Sequence, residues 1–254
     1  MDETELERLR QAARARPEDG EAQLTLLRAL VAGERWEEAE GVGDALLQHE
    51  TPPAAAHTLL GVVYGKQERL EEAAQRCRQA LAQQPDDALL LFNLGTLLAQ
   101  QGEYETARET LEKAQEQQGE WAELQYNLGL IFLRQERYSE ALDAFERATE
   151  QREAYAEAHF NRGNAHAMKG LESDGSLDYY ELDCAISAYK TAIQHRPEYR
   201  AALYNLGTLY GRMGSSEGLR VWDQYLEAAS DLDEEDTWRL RAQEYKRDLD
   251  DRLR

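Results

Sequence analysis

The side chains with which this sequence could do chemistry are few and poorly placed for it. His159 and His166 are seven residues apart, which on a helix is about 10 Å along the axis and too far to share one metal ion. We interpret both, and His57, as packed histidines rather than metal ligands. Cys77 and Cys184 lie far apart in the sequence, which favours free thiols over a disulfide. We therefore predict no catalytic residues and no cofactor.

One acidic segment, 171–183, raises the question of cation binding. Its residues are spaced like the later part of an EF-hand calcium loop, namely Glu172, Asp174, Gly175, Leu177, Asp178 and Glu181. The opening aspartate of that motif falls on Gly170, which has no side-chain oxygen. The alternative is a solvated acidic loop followed by a lengthened helix, with Tyr179 and Tyr180 packing at its start. Partial matches arise by chance in a chain with 50 acidic residues, so we favour the loop and assign no metal ligand.

The charge balance argues against two classes of partner. The 254 residues include 50 acidic and 29 basic ones, for a formal net charge of −21. Such a field repels nucleic acid and anionic membranes. Only five of the basic residues are lysine. Abundant acids with little lysine resemble the surfaces of proteins from halophilic prokaryotes, although an acidic helical protein of another origin fits equally well.

The sequence also carries an expectation about location. No stretch approaches the roughly 18 apolar residues that suggest a membrane-spanning helix. The segment from Met1 to Arg10 contains four acidic residues and no apolar run, unlike a secretory signal. We therefore expect a cytoplasmic protein that is not inserted in a membrane.

A period of 34 residues organises the chain. Glycine recurs at this interval in Gly61, Gly95, Gly129 and Gly163, and Gly207 follows 44 residues later, which is one period plus ten. Two alanine series keep the same register downstream: Ala73, Ala107, Ala141 and Ala185, and, seven residues further on, Ala80, Ala114, Ala148 and Ala192. This pattern resembles the tetratricopeptide repeat, a unit of 34 residues that forms two helices.

The resemblance implies an all-α fold, a right-handed superhelical α-solenoid of helical hairpins in which small residues lie where paired helices cross. We predict a single solenoid over residues 1–254, with capping helices at 1–19 and 233–254. The repeats between them span 20–53, 54–87, 88–121, 122–155, 156–199 with a ten-residue insertion, and 200–232. The C-terminal capping helix should cover the open end with an apolar stripe formed by Trp238, Ala242, Tyr245, Leu249 and Leu253.

The first helix of each hairpin lines the concave groove of such a solenoid. The register places there an asparagine series, an aromatic series and three bases: Asn93, Asn127, Asn161 and Asn205; Phe92, Tyr126, Phe160 and Tyr204; and Lys66, Arg134 and Arg212. An amide both donates and accepts hydrogen bonds, so a series of them can hold the backbone of an extended peptide. The resemblance implies this role, and the alternative is that asparagine is only a framework residue of the family.

The charges predicted for the groove nearly cancel, so a neutral or mildly acidic segment could approach it. The clamp with which some members of the family bind chaperone C-termini is absent. We therefore predict a non-enzymatic adaptor that binds an extended segment of a partner protein and neither nucleic acid nor membrane. The alternative is self-association into a homo-oligomeric structural assembly. The fold alone does not identify the partner.

Overall fold

The computed structural model describes residues 3–49, 52–119, 121–171, 178–231, 233 and 236–254. Over these ranges the chain forms fourteen helices and no β-strand, which confirms the predicted all-α fold. The chain divides into two compact units, Met1–Glu120 and Trp121–Arg254, and each is described by itself. None of the described helices combines the length and the apolar character that a bilayer crossing requires.

The first unit contains an N-terminal helix and three helical hairpins. The helices are α1 (Glu3–Ala15), α2 (Gly20–Ala32), α3 (Trp36–Leu46), α4 (Ala54–Lys66), α5 (Leu70–Gln83), α6 (Ala88–Gln100) and α7 (Tyr104–Gln118). In each hairpin the first helix, α2, α4 or α6, packs against the second, α3, α5 or α7. Helix α1 packs on α2 and buries Leu6 and Ala13 in the same core as Leu27 and Leu30.

The second unit contains three hairpins and a C-terminal helix. The helices are α8 (Ala122–Arg134), α9 (Tyr138–Gln151), α10 (Ala156–Lys169), α11 (Tyr179–His195), α12 (Arg200–Arg212), α13 (Glu217–Ala228) and α14 (Thr237–Leu253). The stripe predicted on α14 is only partly buried. Ala242 and Leu249 are fully buried, whereas Trp238, Tyr245 and Leu253 are 53%, 45% and 43% exposed.

A glycine lies where the two helices cross in every hairpin except α2–α3, which has Leu27 at that place. A Cβ atom at Gly129 would lie 2.6 Å from the ring of Phe145, and one at Gly207 would lie 2.8 Å from the ring of Trp222. In the first hairpin with a crossing glycine, the second helix contributes the smaller Cys77. Burial raises the pKa of this thiol to about 11, so Cys77 is a core residue with little thiolate character.

Among the described residues, the turn between the two helices contains a left-handed backbone residue in five of the six hairpins. A positive φ occurs there at Glu34, Glu68, Gly102, Glu136 and Gly214. At the same place in the α10–α11 hairpin, Gly170 has a φ of −78°. The chain departs there into the insertion instead of turning directly, and the backbone N–H of Asp178 donates to the Gly170 carbonyl at 2.9 Å. Gly170 therefore lacks the left-handed backbone found at the same place in the other hairpins.

Candidate functional site

All five asparagines of the chain lie on first helices. Asn93 lies on α6 in the first unit. In the second unit, Asn127 lies on α8, Asn161 and Asn164 lie on α10, and Asn205 lies on α12. Each side chain is partly exposed. The sequence prediction named four of them and missed Asn164, although its spacing of three residues from Asn161 places both on one face of α10.

Three of these amides form a directed chain of hydrogen bonds, here called the amide relay: Asn161, Asn164 and Asn205. The Nδ2 of Asn161 donates to the backbone carbonyl of Glu157 at 3.0 Å, and a carbonyl can only accept. The Oδ1 of Asn161 therefore accepts from Nδ2 of Asn164 at 3.2 Å. The Oδ1 of Asn164 then accepts from Nδ2 of Asn205 and from the hydroxyl of Tyr189, both at 2.9 Å.

The relay fixes which atom each amide presents. Because Nδ2 of Asn205 is turned toward Asn164, its Oδ1 is turned away from the relay. Asn161 is held further by the hydroxyl of Tyr126, 3.1 Å from its Nδ2. An amide whose orientation is set by its neighbours loses less conformational entropy when it binds a ligand.

The predicted aromatic residues of the second unit pack against aromatic rings that follow later in the chain. The ring of Tyr126 lies 5.0 Å from that of Tyr155, and the ring of Phe160 lies 5.0 Å from that of Tyr199. Tyr204 contacts Trp238 on α14 with ring centroids 5.1 Å apart. Part of the aromatic surface that was predicted to contact a peptide therefore packs between successive hairpins.

The acidic residues on this face are neutralised within the protein. Glu123 pairs with Arg152, and Glu157 pairs with Arg196. Burial raises the pKa of both carboxyl groups, but hydrogen bonds to the backbone and to the two arginines outweigh it, so the net pKa is lowered. Both carboxylates are thus ionised and paired with arginines. Counting acidic and basic residues in the sequence could not reveal this pairing.

The three predicted bases are placed differently from the acids. Lys66, Arg134 and Arg212 are the last residues of α4, α8 and α12, and all three are exposed. Within the described ranges, none forms an ion pair. A cation is favoured at a helix C-terminus by the helix dipole, which accounts for their position. Their charged groups are available to an anionic ligand, so the first-helix surface of the second unit is more positive than the sequence predicted.

Cavities open beside several of the predicted residues. In the first unit, Lys66, Phe92 and Asn93 together line a cavity of about 420 Å³ between α4 and α6. In the second unit, a cavity of about 330 Å³, the α10–α12 cavity, is lined by Asn205 and Arg212 among others. A further cavity of about 700 Å³, the α12–α14 cavity, shares Arg212 with it.

The residues considered for metal binding do not assemble into a site in the described part of the chain, where no group of three His, Cys, Asp or Glu side chains is suitably placed. Of the EF-hand-like segment, 172–177 lies outside the described residues. Glu181 is buried and accepts hydrogen bonds from His166 at 2.7 Å and Lys169 at 2.6 Å. The expectation that Tyr179 and Tyr180 pack is wrong, since they are 61% and 74% exposed at the start of α11.

The two buried histidines should make stability depend on pH. Burial lowers the pKa of His57 and His159 below the ordinary 6.5, and Nδ1 of each is buried without a hydrogen bond to the described residues. The unfolded chain then binds more protons, so the free energy of unfolding is greatest above pH 6.5 and falls as the pH decreases below it. Each histidine contributes at most about 1.4 kcal/mol per pH unit.

Denaturant unfolding of the double variant His57→Leu/His159→Leu at pH 7.5 and pH 5.5 tests this prediction. Leucine is chosen because Leu91 and Leu203 occupy the same place in α6 and α12. We expect the variant to lose less stability on acidification than the wild type. His49→Leu removes a histidine outside the core and is the control. Equal losses in the wild type and the double variant would show that these histidines do not titrate as proposed.

The fold and its repeat define a helical-repeat protein, and the sequence comparisons give its family. Two tetratricopeptide repeat models match, one at residues 53–120 and 86–154 and the other at residues 6–56. The matches together extend over more than half of the chain, which therefore belongs to the tetratricopeptide repeat family. A search of curated protein sequences found no match.

Solved structures share the fold. MamA is 24% identical, covers 67% of this chain and 95% of its own, and superposes with a TM-score of 0.59. YrrB, described as a TPR protein with an unusual peptide-binding site, is 24% identical over 75% of this chain and 92% of its own, with a TM-score of 0.57. PilF from Pseudomonas aeruginosa is 20% identical over 91% and 99%, with a TM-score of 0.70.

Proposed function

We propose that the protein is a non-enzymatic adaptor that holds an extended segment of a partner protein against its first helices. The amide relay carries this proposal. Asn161, Asn164 and Asn205 lie on two successive first helices, and one backbone carbonyl sets the orientation of all three. Preorganised amides are suited to hydrogen-bonding a peptide backbone, since a backbone offers one donor and one acceptor per residue.

Two further features support peptide binding over other functions. The α10–α12 cavity is lined by Asn164 and Asn205 of the relay and by both apolar and polar side chains, as protein ligand sites are. The bases Arg134 and Arg212 remain available while Glu123 and Glu157 are paired. The peptide-binding site described for the similar protein YrrB is consistent with this function.

Peptide display tests the proposal. We expect the full-length protein to select members of a library of random twelve-residue peptides, and the double variant Asn161→Ala/Asn205→Ala to bind them about tenfold to a hundredfold more weakly, as expected for two lost hydrogen bonds. Gln194→Ala removes an exposed amide from α11 and should bind like the wild type. Circular dichroism verifies that the variants fold. Failure to select any peptide, or equal affinity of the double variant, would contradict the proposal.

Self-association is the alternative function, and the exposed apolar side chains of α14 favour it. Trp238, Leu240, Tyr245 and Leu253 are each more than 40% exposed. Light scattering over a concentration series separates the two functions. An adaptor that acts as a monomer should keep the mass of one chain, 29.0 kDa, at every concentration. A mass that rises with concentration supports the assembly.

A further inference from the structure

Apolar atoms form most of the surface of the α10–α12 cavity. Its floor is formed by Leu182, which is fully buried, and by Leu209, which is 6% exposed. Met168 and Leu171 line it as well and are 50% and 36% exposed. Its volume of about 330 Å³ is at the lower end of the range for ligand pockets, roughly 300–1,000 Å³. This size suits one large side chain with its adjoining backbone.

The cavity owes its apolar character to the hairpin that carries the insertion. Met168 occupies the place that holds Lys66, Arg134 and Arg212 in other first helices. Leu171 lies where the chain departs into the insertion, next to the hydrogen bond between Asp178 and Gly170. A methionine side chain is flexible and adapts to different apolar partners. The α10–α11 hairpin therefore presents an apolar surface where the hairpins that begin with α4, α8 and α12 present a cation.

Among the polar residues that line the cavity, Asn205 and Arg212 can orient a ligand. Asn205 lines it with its amide orientation set by the relay. Arg212 lines it too, and in the described ranges no carboxylate oxygen lies within ion-pairing distance of its guanidinium. Two acidic side chains of α14, Asp248 and Asp251, share the α12–α14 cavity with Arg212. Arg212 can therefore pair with a carboxylate supplied by a ligand.

We propose that the α10–α12 cavity is a specificity pocket for a large aliphatic or thioether side chain, such as leucine or methionine, and that Arg212 binds a carboxylate of the same partner segment. The inference rests on the proposed peptide-binding function and adds the chemistry of the ligand. The apolar floor favours the side chain through burial of its surface. The arginine adds a charge-assisted hydrogen bond that selects an acidic neighbour.

A positional-scanning library of nine-residue peptides with both ends blocked tests this inference on the full-length protein. We expect enrichment of leucine or methionine at one position and of aspartate or glutamate within four residues of it. A second library with free C-termini identifies the source of the carboxylate, because binding seen only there, without enrichment of aspartate or glutamate, assigns the carboxylate to the chain terminus. Enrichment of lysine or arginine in place of the acid would overturn the Arg212 contact.

Variants with matched controls complete the test. Ala167→Phe fills the cavity and should weaken binding of the selected peptides about tenfold. Ala99→Phe makes the same change at the equivalent place in α6 and is the control. Met168→Glu, at a half-exposed position, tests the cavity without risk to the core. Arg212→Glu should abolish the acid preference, and Arg220→Glu, an equal change of charge on α13, should keep it.

The outcomes test the proposed specificity pocket separately from the proposed peptide binding. Suppose that the wild type selects peptides and that both variants, Ala167→Phe and Met168→Glu, keep its apolar preference. The proposed specificity pocket is then contradicted, but the proposed peptide binding is not. If the wild type selects no peptide from either library, the proposed function itself fails.

Discussion

Replacing Trp222 with alanine is expected to lower the free energy of unfolding by about 3–5 kcal/mol, the usual cost of deleting a buried aromatic side chain. Trp222 is 0% exposed and is among the largest side chains in the core of the second unit. Its ring lies 5.3 Å from that of Tyr204 and stacks 5.7 Å from that of Tyr245, so its removal leaves a void that touches three helices.

The matched control is Trp238→Ala. Trp238 is 53% exposed on α14, so removing it should cost about 1 kcal/mol or less. Denaturant unfolding followed by circular dichroism measures both variants, because the signal does not depend on the tryptophan that is removed. Similar losses for the two variants would mean that Trp222 does not hold the C-terminal hairpin together.

The second large effect is expected from Gly129→Ala, which adds only one methyl group. The new Cβ would lie 2.6 Å from the ring of Phe145. Phe145 is 0% exposed, and side chains in a close-packed core have little room to move aside. Overpacking of this kind costs about 1–3 kcal/mol, partly offset by the higher helix propensity of alanine, worth about 1 kcal/mol. We expect a net loss of stability in spite of that gain.

Gly41→Ala is the control for this prediction. Gly41 lies in the middle of α3, and nothing lies within 4 Å of a Cβ placed there, so alanine should raise the free energy of unfolding by about 0.5–1 kcal/mol. The contact is tested further by introducing Gly129→Ala into a Phe145→Leu background, where it should cost less than in the wild type. An equal cost in both backgrounds would show that Phe145 is not the source of the clash.

The sequence predicted the fold well because the repeat reflects a local requirement. Gly61, Gly95, Gly129, Gly163 and Gly207 mark the places where two helices adjacent in the chain cross. A crossing of neighbouring helices leaves its pattern within one period, so it can be found without knowing where distant residues lie. The apolar pattern of α14 predicted a helix equally well, but it did not predict that Trp238 and Tyr245 remain exposed.

The candidate site was predictable only in part. The register placed Asn161, Asn205 and Arg212 on first helices, where the structure has them. It did not reveal Asn164, which links the other two amides, because that link depends on atoms of α10 and α12 that meet at 2.9 Å.

By itself, the sequence determined the repeat, the pairing of helices, the residue types on the first helices and a net charge of −21. Only the tertiary structure decided the direction of each amide, the pairing of Glu123 and Glu157 with arginines, and the apolar cavity beside Met168. The physical reason is that helix crossings recur at the same place in each repeat and therefore leave a periodic pattern in the sequence. These hydrogen bonds, ion pairs and cavities depend instead on particular side chains that meet within a few ångströms, which the periodic pattern does not encode.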